Sequence, residues 1–120
     1  MAIWRPWVLC GMWIPAAASH RKHCTAYCAC WGVTDLDAKT EAALRAAERC
    51  PFVLLHINGA DEAAHRHDSA EKETFMRRVD GRVFSRLLAS EHEIMVASDH
   101  GADPESGAHL GGPQPFFTSR

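Results

Sequence analysis

Two short stretches of this sequence set a carboxylate beside an imidazole. From Leu54 to His65 an apolar run stops at Asn58 and Gly59, and Asp61 and His65 follow four residues apart. If that segment turns helically, the spacing puts both side chains on one face. A carboxylate oxygen and an imidazole nitrogen held together can clasp a divalent cation such as zinc or manganese. The second stretch runs Ser98, Asp99, His100, Gly101, directly after another apolar run. Further on, His109 could complete a three-ligand site with Asp61 and His65. Taken singly, each feature also suits a plainer reading: a helix-start carboxylate near a surface histidine, or a loop histidine in solvent. The elements that carry these residues decide between the two.

Phe52 to Ile57 is apolar on both faces, as a buried parallel strand is. His56 is its exception, read either as a strand-end histidine bonded to backbone or as a support for metal ligands. Asp68 to Glu71 resembles a capping box. Beyond it Phe75, Met76, Val79, Val83, Phe84, Leu87 and Leu88 repeat at three-to-four spacing. This predicts an amphipathic helix of about five turns, with the stripe serving as core packing. Gly81 inside it costs about 1 kcal/mol relative to alanine. Glu93 to Ala97 reads as a second strand. Strand, helix, strand in that order is a right-handed crossover with parallel strands. Both strand ends then lie on one edge of the sheet, where open α/β sheets carry their sites. Asp61 and His65 follow one end, Asp99 and His100 the other, so four metal-type ligands converge there.

Upstream, Asp37 to Arg49 reads as a helix capped by Asp35 or Asp37 and stopped by Pro51. Lys39, Glu41, Arg45, Glu48 and Arg49 form its expected solvated face. Downstream, Ala102 to Gly112 is a polar, glycine-rich loop long enough to fold over the strand ends. Pro113 to Phe117 reads as extended, an edge strand. The expected fold class is α/β, a partial sheet with one β-α-β crossover and a preceding helix. Its exposed edge and apolar face invite self-association.

With 120 residues the chain is one domain or part of a larger one. A formal net charge of −2 offers no electrostatic case for nucleic acid. No apolar run is long enough to span a bilayer. The eight histidines are many for this length, and several stand beside acidic residues. Residues 1–31 read unlike the rest: they hold all four tryptophans and four of the five cysteines, with no sustained periodicity. A signal peptide, a metal knot built on Cys24, Cys28 and Cys30, and a segment outside the fold are the three readings. The abrupt change of composition at about Gly32 supports the third, which divides the chain into 1–31 and a metalloenzyme portion, 32–120.

The order Asp61-Glu62-Ala63-Ala64-His65, Lys72, Met76, Val79-Asp80, Ser98-Asp99-His100-Gly101, Gly107-x-His109 and Pro113-x-Pro115-Phe116 resembles a known pattern. It is similar to the C-terminal part of 2,3-bisphosphoglycerate-independent phosphoglycerate mutases of the archaeal-type branch, in the alkaline phosphatase superfamily. The chain departs from that pattern at Ala64, Ala102, Asp103 and Leu110. The resemblance implies a cytoplasmic glycolytic enzyme acting on phosphoglycerate, with no membrane or nucleic-acid partner. It implies two divalent ions, manganese or zinc, one held by Asp61, His65 and His109 and the other in part by Asp99 and His100. It implies a phosphoserine intermediate, and no segment here supplies that serine. A phosphate or sulfate ester hydrolase of the same superfamily and an inactive metal-binding remnant are the alternatives.

Overall fold

The computed structural model describes residues 7–11, 25–27, 35–50 and 52–119. The cysteine cluster at 24, 28 and 30 lies outside them. The strands among the described residues are β1 (Trp7–Gly11), β2 (Thr25–Tyr27), β3 (Phe52–His56), β4 (Glu93–Ala97), β5 (Gly101–Ala102), β6 (His109–Leu110) and β7 (Phe116–Thr118). The helices are α1 (Leu36–Ala47), α2 (Gly59–His65), α3 (Ser69–Val79) and α4 (Ser85–Ala89), and a π-helical turn, Asp80–Phe84, joins the last two. The main sheet has the order β2-β3-β1-β4-β7, and β5 and β6 form a separate ribbon.

Strands β3 and β4 run parallel, as the crossover requires, but they are not neighbours. Strand β1 lies between them, parallel to both, with Gly11 in register with His56 and Ala97. β2 adds a parallel strand outside β3. The composition break had set residues 1–31 outside the fold, yet the sheet takes two strands from that segment. A crossover fixes the direction of its two strands and not what fills the space between them. β7 closes the far edge antiparallel to β4 and exposes Phe116 and Phe117.

Local chemistry sets the helix ends. The Asp35 carboxylate accepts from the Ala38 N–H at 2.9 Å and starts α1. The Asp68 carboxylate accepts from the Glu71 N–H at 2.8 Å and starts α3. The reciprocal half of that capping box is absent from the described contacts, because Glu71 pairs with Arg66 at 2.6 Å. Thr40 is fully buried, and its hydroxyl donates to the Leu36 carbonyl at 2.7 Å.

The core gathers Leu36, Ala43 and Ala47 of α1, Val53, Leu55 and Ile94 of the sheet, and Phe75, Val79, Val83 and Leu87 of the long helical run. Those last four recur every fourth residue. In an α-helix such a stripe drifts by about 40° per step, since each residue turns about 100°. The π turn absorbs the drift and keeps Val83 and Leu87 on the face of Phe75 and Val79. The Ser85 hydroxyl donates to the Gly81 carbonyl within it. Met76 and Leu88, expected on the stripe, are 48% and 62% exposed.

Lys39 corrects the expected solvated face of α1, for it is only 6% exposed. Its stem lies against β3, and its ammonium donates to the His56 carbonyl at 3.5 Å. Arg82 and Arg86 reach back from the long helical run to Asp37 and Glu41 of α1. Cys50 is buried and disulfide-bonded. Among the described residues no helix is long and apolar enough to cross a membrane.

Candidate metal centre

β3 delivers the chain to the edge of the sheet at His56, and α2 begins three residues later. Asn58 stands at its N-terminus and donates to the Glu62 carboxylate at 2.6 Å. That turns Glu62 aside and leaves Asp61 on the face shared with His65. His65 Nε2 lies 3.4 Å from Asp61 Oδ2. From β6, His109 Nε2 lies 3.3 Å from Asp61 Oδ1 and 3.0 Å from His65 Nε2. Donors around one tetrahedral ion with bonds of about 2.0–2.1 Å stand about 3.3–3.4 Å apart. The three side chains approach one another at about that spacing, with Asp61 facing His65 through Oδ2 and His109 through Oδ1.

Strand β4 delivers the second pair. The His100 ring stacks on His109, centroids 3.9 Å apart and planes 21° from parallel. The potential ligand atoms of Asp61, His100 and His109 all lie within 4.8 Å of one another. His100 thus joins the Asp61 group as well as Asp99, whose Oδ2 is 3.6 Å from His100 Nε2. Asp99 Oδ1 accepts from the His100 N–H at 3.0 Å. His100 Nδ1 faces the Gly101 carbonyl at 3.1 Å. A carbonyl only accepts, so Nδ1 carries the proton and Nε2 keeps a lone pair for a ligand.

One atom tests whether a cation fits. Asp61 Oδ1 is buried and has no hydrogen-bond partner among the described residues. A buried carboxylate oxygen left so costs about 1–3 kcal/mol or more, and coordination to a cation removes that cost. The Asp61 and His100 side chains are 22% and 24% exposed, while those of His65 and His109 are about half exposed. The centre is a rim site, open on its histidine side.

Two residues behind this rim were not singled out together by sequence. Burial lowers the His56 pKa, the Lys39 charge lowers it further, and Asp99 opposes them. Lys39, His56 and Asp99 therefore share one electrostatic neighbourhood. No sequence signal distinguishes Lys39 from the other polar residues of α1. In the loop after β5, Ser106 and Glu105 hydrogen bonds hold the Asp103 carboxyl below its usual range, the Ser106 hydroxyl contributing most. Ser98 turns away from the ligands. Its hydroxyl donates to the His100 carbonyl at 2.8 Å, and it lines an apolar cavity of about 230 Å³ with Phe75, Val79 and Phe117.

The model of a family described as the Metalloenzyme superfamily matches residues 30–119. The 2,3-bisphosphoglycerate-independent phosphoglycerate mutase of Methanoculleus marisnigri is 37% identical over 82 residues, which are 68% of this chain and 20% of that protein. Mutase 2 of Methanothermobacter thermautotrophicus is 36% identical over 86 residues, 68% of this chain and 21% of the relative. The chain thus spans about a fifth of the length of these curated relatives. The solved structure of the PH0037 protein from Pyrococcus horikoshii matches with a TM-score of 0.64 and 27% identity, covering 71% of this chain and 27% of that one.

Proposed function

The chain belongs to the Metalloenzyme superfamily, and on that footing we propose that it forms the metal-binding part of a phosphoglycerate mutase of the 2,3-bisphosphoglycerate-independent kind. One observation carries the reading. The Asp61 carboxylate of α2 faces His65 through Oδ2 and His109 of β6 through Oδ1, and the buried Oδ1 has no hydrogen-bond partner among the described residues. The relatives above are named phosphoglycerate mutases, and the reaction assigned in this reading is interconversion of 3- and 2-phosphoglycerate.

Family membership implies divalent metal binding, and we assign two ions, manganese or zinc. Asp61, His65 and His109 hold one, and Asp99 and His100 contribute to the other. Carboxylate oxygens and imidazole nitrogens suit both metals. When bound, such a pair neutralises charge on a transferring phosphoryl group and acidifies the attacking hydroxyl. The residues of this chain orient the donors: the Gly101 carbonyl fixes the His100 tautomer, and α2 holds Asp61 and His65 on one face.

The reading includes a phosphoserine formed on a serine outside this chain. Ser98 is the described serine nearest the ligands in sequence, and its hydroxyl is committed to the His100 carbonyl. Ser106 donates to Asp103, and Ser119 accepts from the Ile94 N–H. None is presented beside Asp61.

Calorimetric titration of the 120-residue chain with zinc or manganese tests the assignment. Binding should be lost in an Asp61→Ala, His65→Ala double variant, and a coupled assay should show no mutase turnover by the chain alone. Unchanged binding in the double variant would remove the site. Turnover that vanished on chelation would put the nucleophile in this chain.

A further inference from the structure

The centre draws its ligands from two bodies. Asp61 and His65 ride on α2, while His100 immediately precedes β5 and His109 opens β6. The β5–β6 ribbon has only two residue pairs, Gly101 with Leu110 and Ala102 with His109. A two-stranded ribbon is marginal by itself in water, so something must hold it where its histidines meet Asp61.

We propose that Lys72 and His67 clamp this hairpin to the α2–α3 corner and so act as positioning residues for the metal ligands, an inference that rests on the metal reading above. The Lys72 ammonium, one turn into α3, donates to the carbonyl of Ala102. Ala102 is buried and pairs with His109, so this bond pins the ribbon at the level of the ligand itself. His67 Nδ1 faces the Glu105 carbonyl at 3.0 Å and donates to it. His67 has φ 56°, and among the described residues no other non-glycine residue has a positive φ. Such a conformation is rarely adopted without a compensating contact. Here it accompanies a ring laid against the loop. Gly107 has φ 69°, and a Cβ on it would stand 3.0 Å from His67 Cε1 and 3.2 Å from Nε2.

The loop that the two side chains grip is knotted on itself. The Asp103 carbonyl accepts from the Gly107 N–H at 2.8 Å, the Asp103 N–H donates to the Ala108 carbonyl at 2.9 Å, and the Ser106 hydroxyl donates to the Asp103 carboxylate at 2.6 Å. A stiff loop fixed at two points transmits its position to both flanking histidines. Without the clamp, His100 and His109 would have to be ordered by the metal itself. Losing an outer partner of a metal ligand typically weakens metal affinity about 10–100-fold.

The test uses the full chain and three variants. Lys72→Met keeps the stem and removes the donor, Lys72→Arg keeps a donor, and Gly107→Ala pushes the His67 ring away while sparing Lys72. Zinc affinity is read by competition with a chelating indicator, and hydrogen exchange is read on the metal-free protein. Lys72→Met should weaken zinc binding about 10–100-fold and speed exchange across residues 101–110, with α1 and β3 unchanged. Lys72→Arg should recover most of both, and Gly107→Ala should shift both readouts as Lys72→Met does. Should Lys72→Met fail to fold, Gly107→Ala carries the test. Unchanged hairpin exchange in Gly107→Ala and in folded Lys72→Met would overturn the clamp. A wild-type chain that takes no zinc would instead defeat the metal reading, leaving the clamp to be judged by metal-free exchange alone.

Discussion

Replacing Gly59 with alanine asks whether the seating of α2 governs the metal centre. Gly59 opens α2 and is buried. A Cβ built there would lie 2.4 Å from both Cε2 and Cζ of Phe75 and 2.9 Å from its Cε1. Carbon atoms pack at about 3.5–4.0 Å, so methyl and ring must separate by about 1 Å. The ring has little freedom to move: Phe75 is 8% exposed and sits in the core beside Ala60 and Val79. Overpacking of such a site costs about 1–3 kcal/mol. Helix propensity acts in the other direction by at most about 1 kcal/mol. The balance is a loss of about 1–2 kcal/mol, visible as a lower urea midpoint at unchanged slope.

The same displacement reaches the centre. Asp61 lies two residues beyond Gly59, and its oxygens must meet His109 and His65 across 3.3 Å and 3.4 Å. A shift of about 1 Å spoils that fit, and zinc affinity should fall about tenfold, the scale on which ligands lose outer support. The double variant Gly59→Ala, Phe75→Leu removes the ring that causes the conflict. It should recover affinity more fully than stability, because the smaller side chain leaves the core under-filled. If Gly59→Ala matches the wild type in both urea midpoint and zinc affinity, close packing of α2 on Phe75 does not set the ligand geometry.

Two further outcomes follow from single groups. Asp61→Asn removes the charge of a carboxylate whose buried Oδ1 has no hydrogen-bond partner among the described residues; the metal-free variant should be as stable as wild type or more so, while zinc no longer raises its melting temperature. For His56, burial and then Lys39 lower the folded pKa from its ordinary value of 6.5, against Asp99. The unfolded chain therefore takes up the proton first as pH falls, so this contribution to stability is present above about pH 6.5 and is lost as pH falls through the lowered folded value. His56→Gln should flatten that acid-side loss in urea unfolding measured on both sides of the window, and an identical slope in variant and wild type would exclude His56 as its source.

Elements written in local pattern were legible. The start of α1 follows from the Asp35 cap, though the helix ends at Ala47, two residues before the expected Arg49; β3 follows from its two-sided apolar run, and the start of α3 from Asp68. The π turn was less open to reading, because a three-to-four stripe describes α-helix equally well. Only the strict four-residue spacing of Phe75, Val79, Val83 and Leu87 hints at it. The place of β1 was not legible at all. What lies between two parallel strands is a property of the whole sheet, and the unusual composition of residues 1–31 concealed two strands. Lys39 failed for a different reason. A long aliphatic stem can be buried while its polar head finds a carbonyl, and nothing in the α1 pattern separates that lysine from a solvated one.

The centre divides along the same line between local and distant. Asp61 and His65 could be paired from sequence because a helix makes positions four apart neighbours. The stack of His100 on His109 could not, because it depends on hairpin register. Ala102 stands opposite His109, and the loop from Asp103 to Ala108 sets that pairing. A slip of one residue would turn His109 to the other face of the ribbon, away from Asp61 and His65. The knotted loop, with Gly107 at positive φ and Asp103 bonded at both its backbone and its carboxylate, therefore does more than connect two short strands. It selects which face of β6 the imidazole occupies, and so whether the ligands that a helix pairs by itself acquire a third.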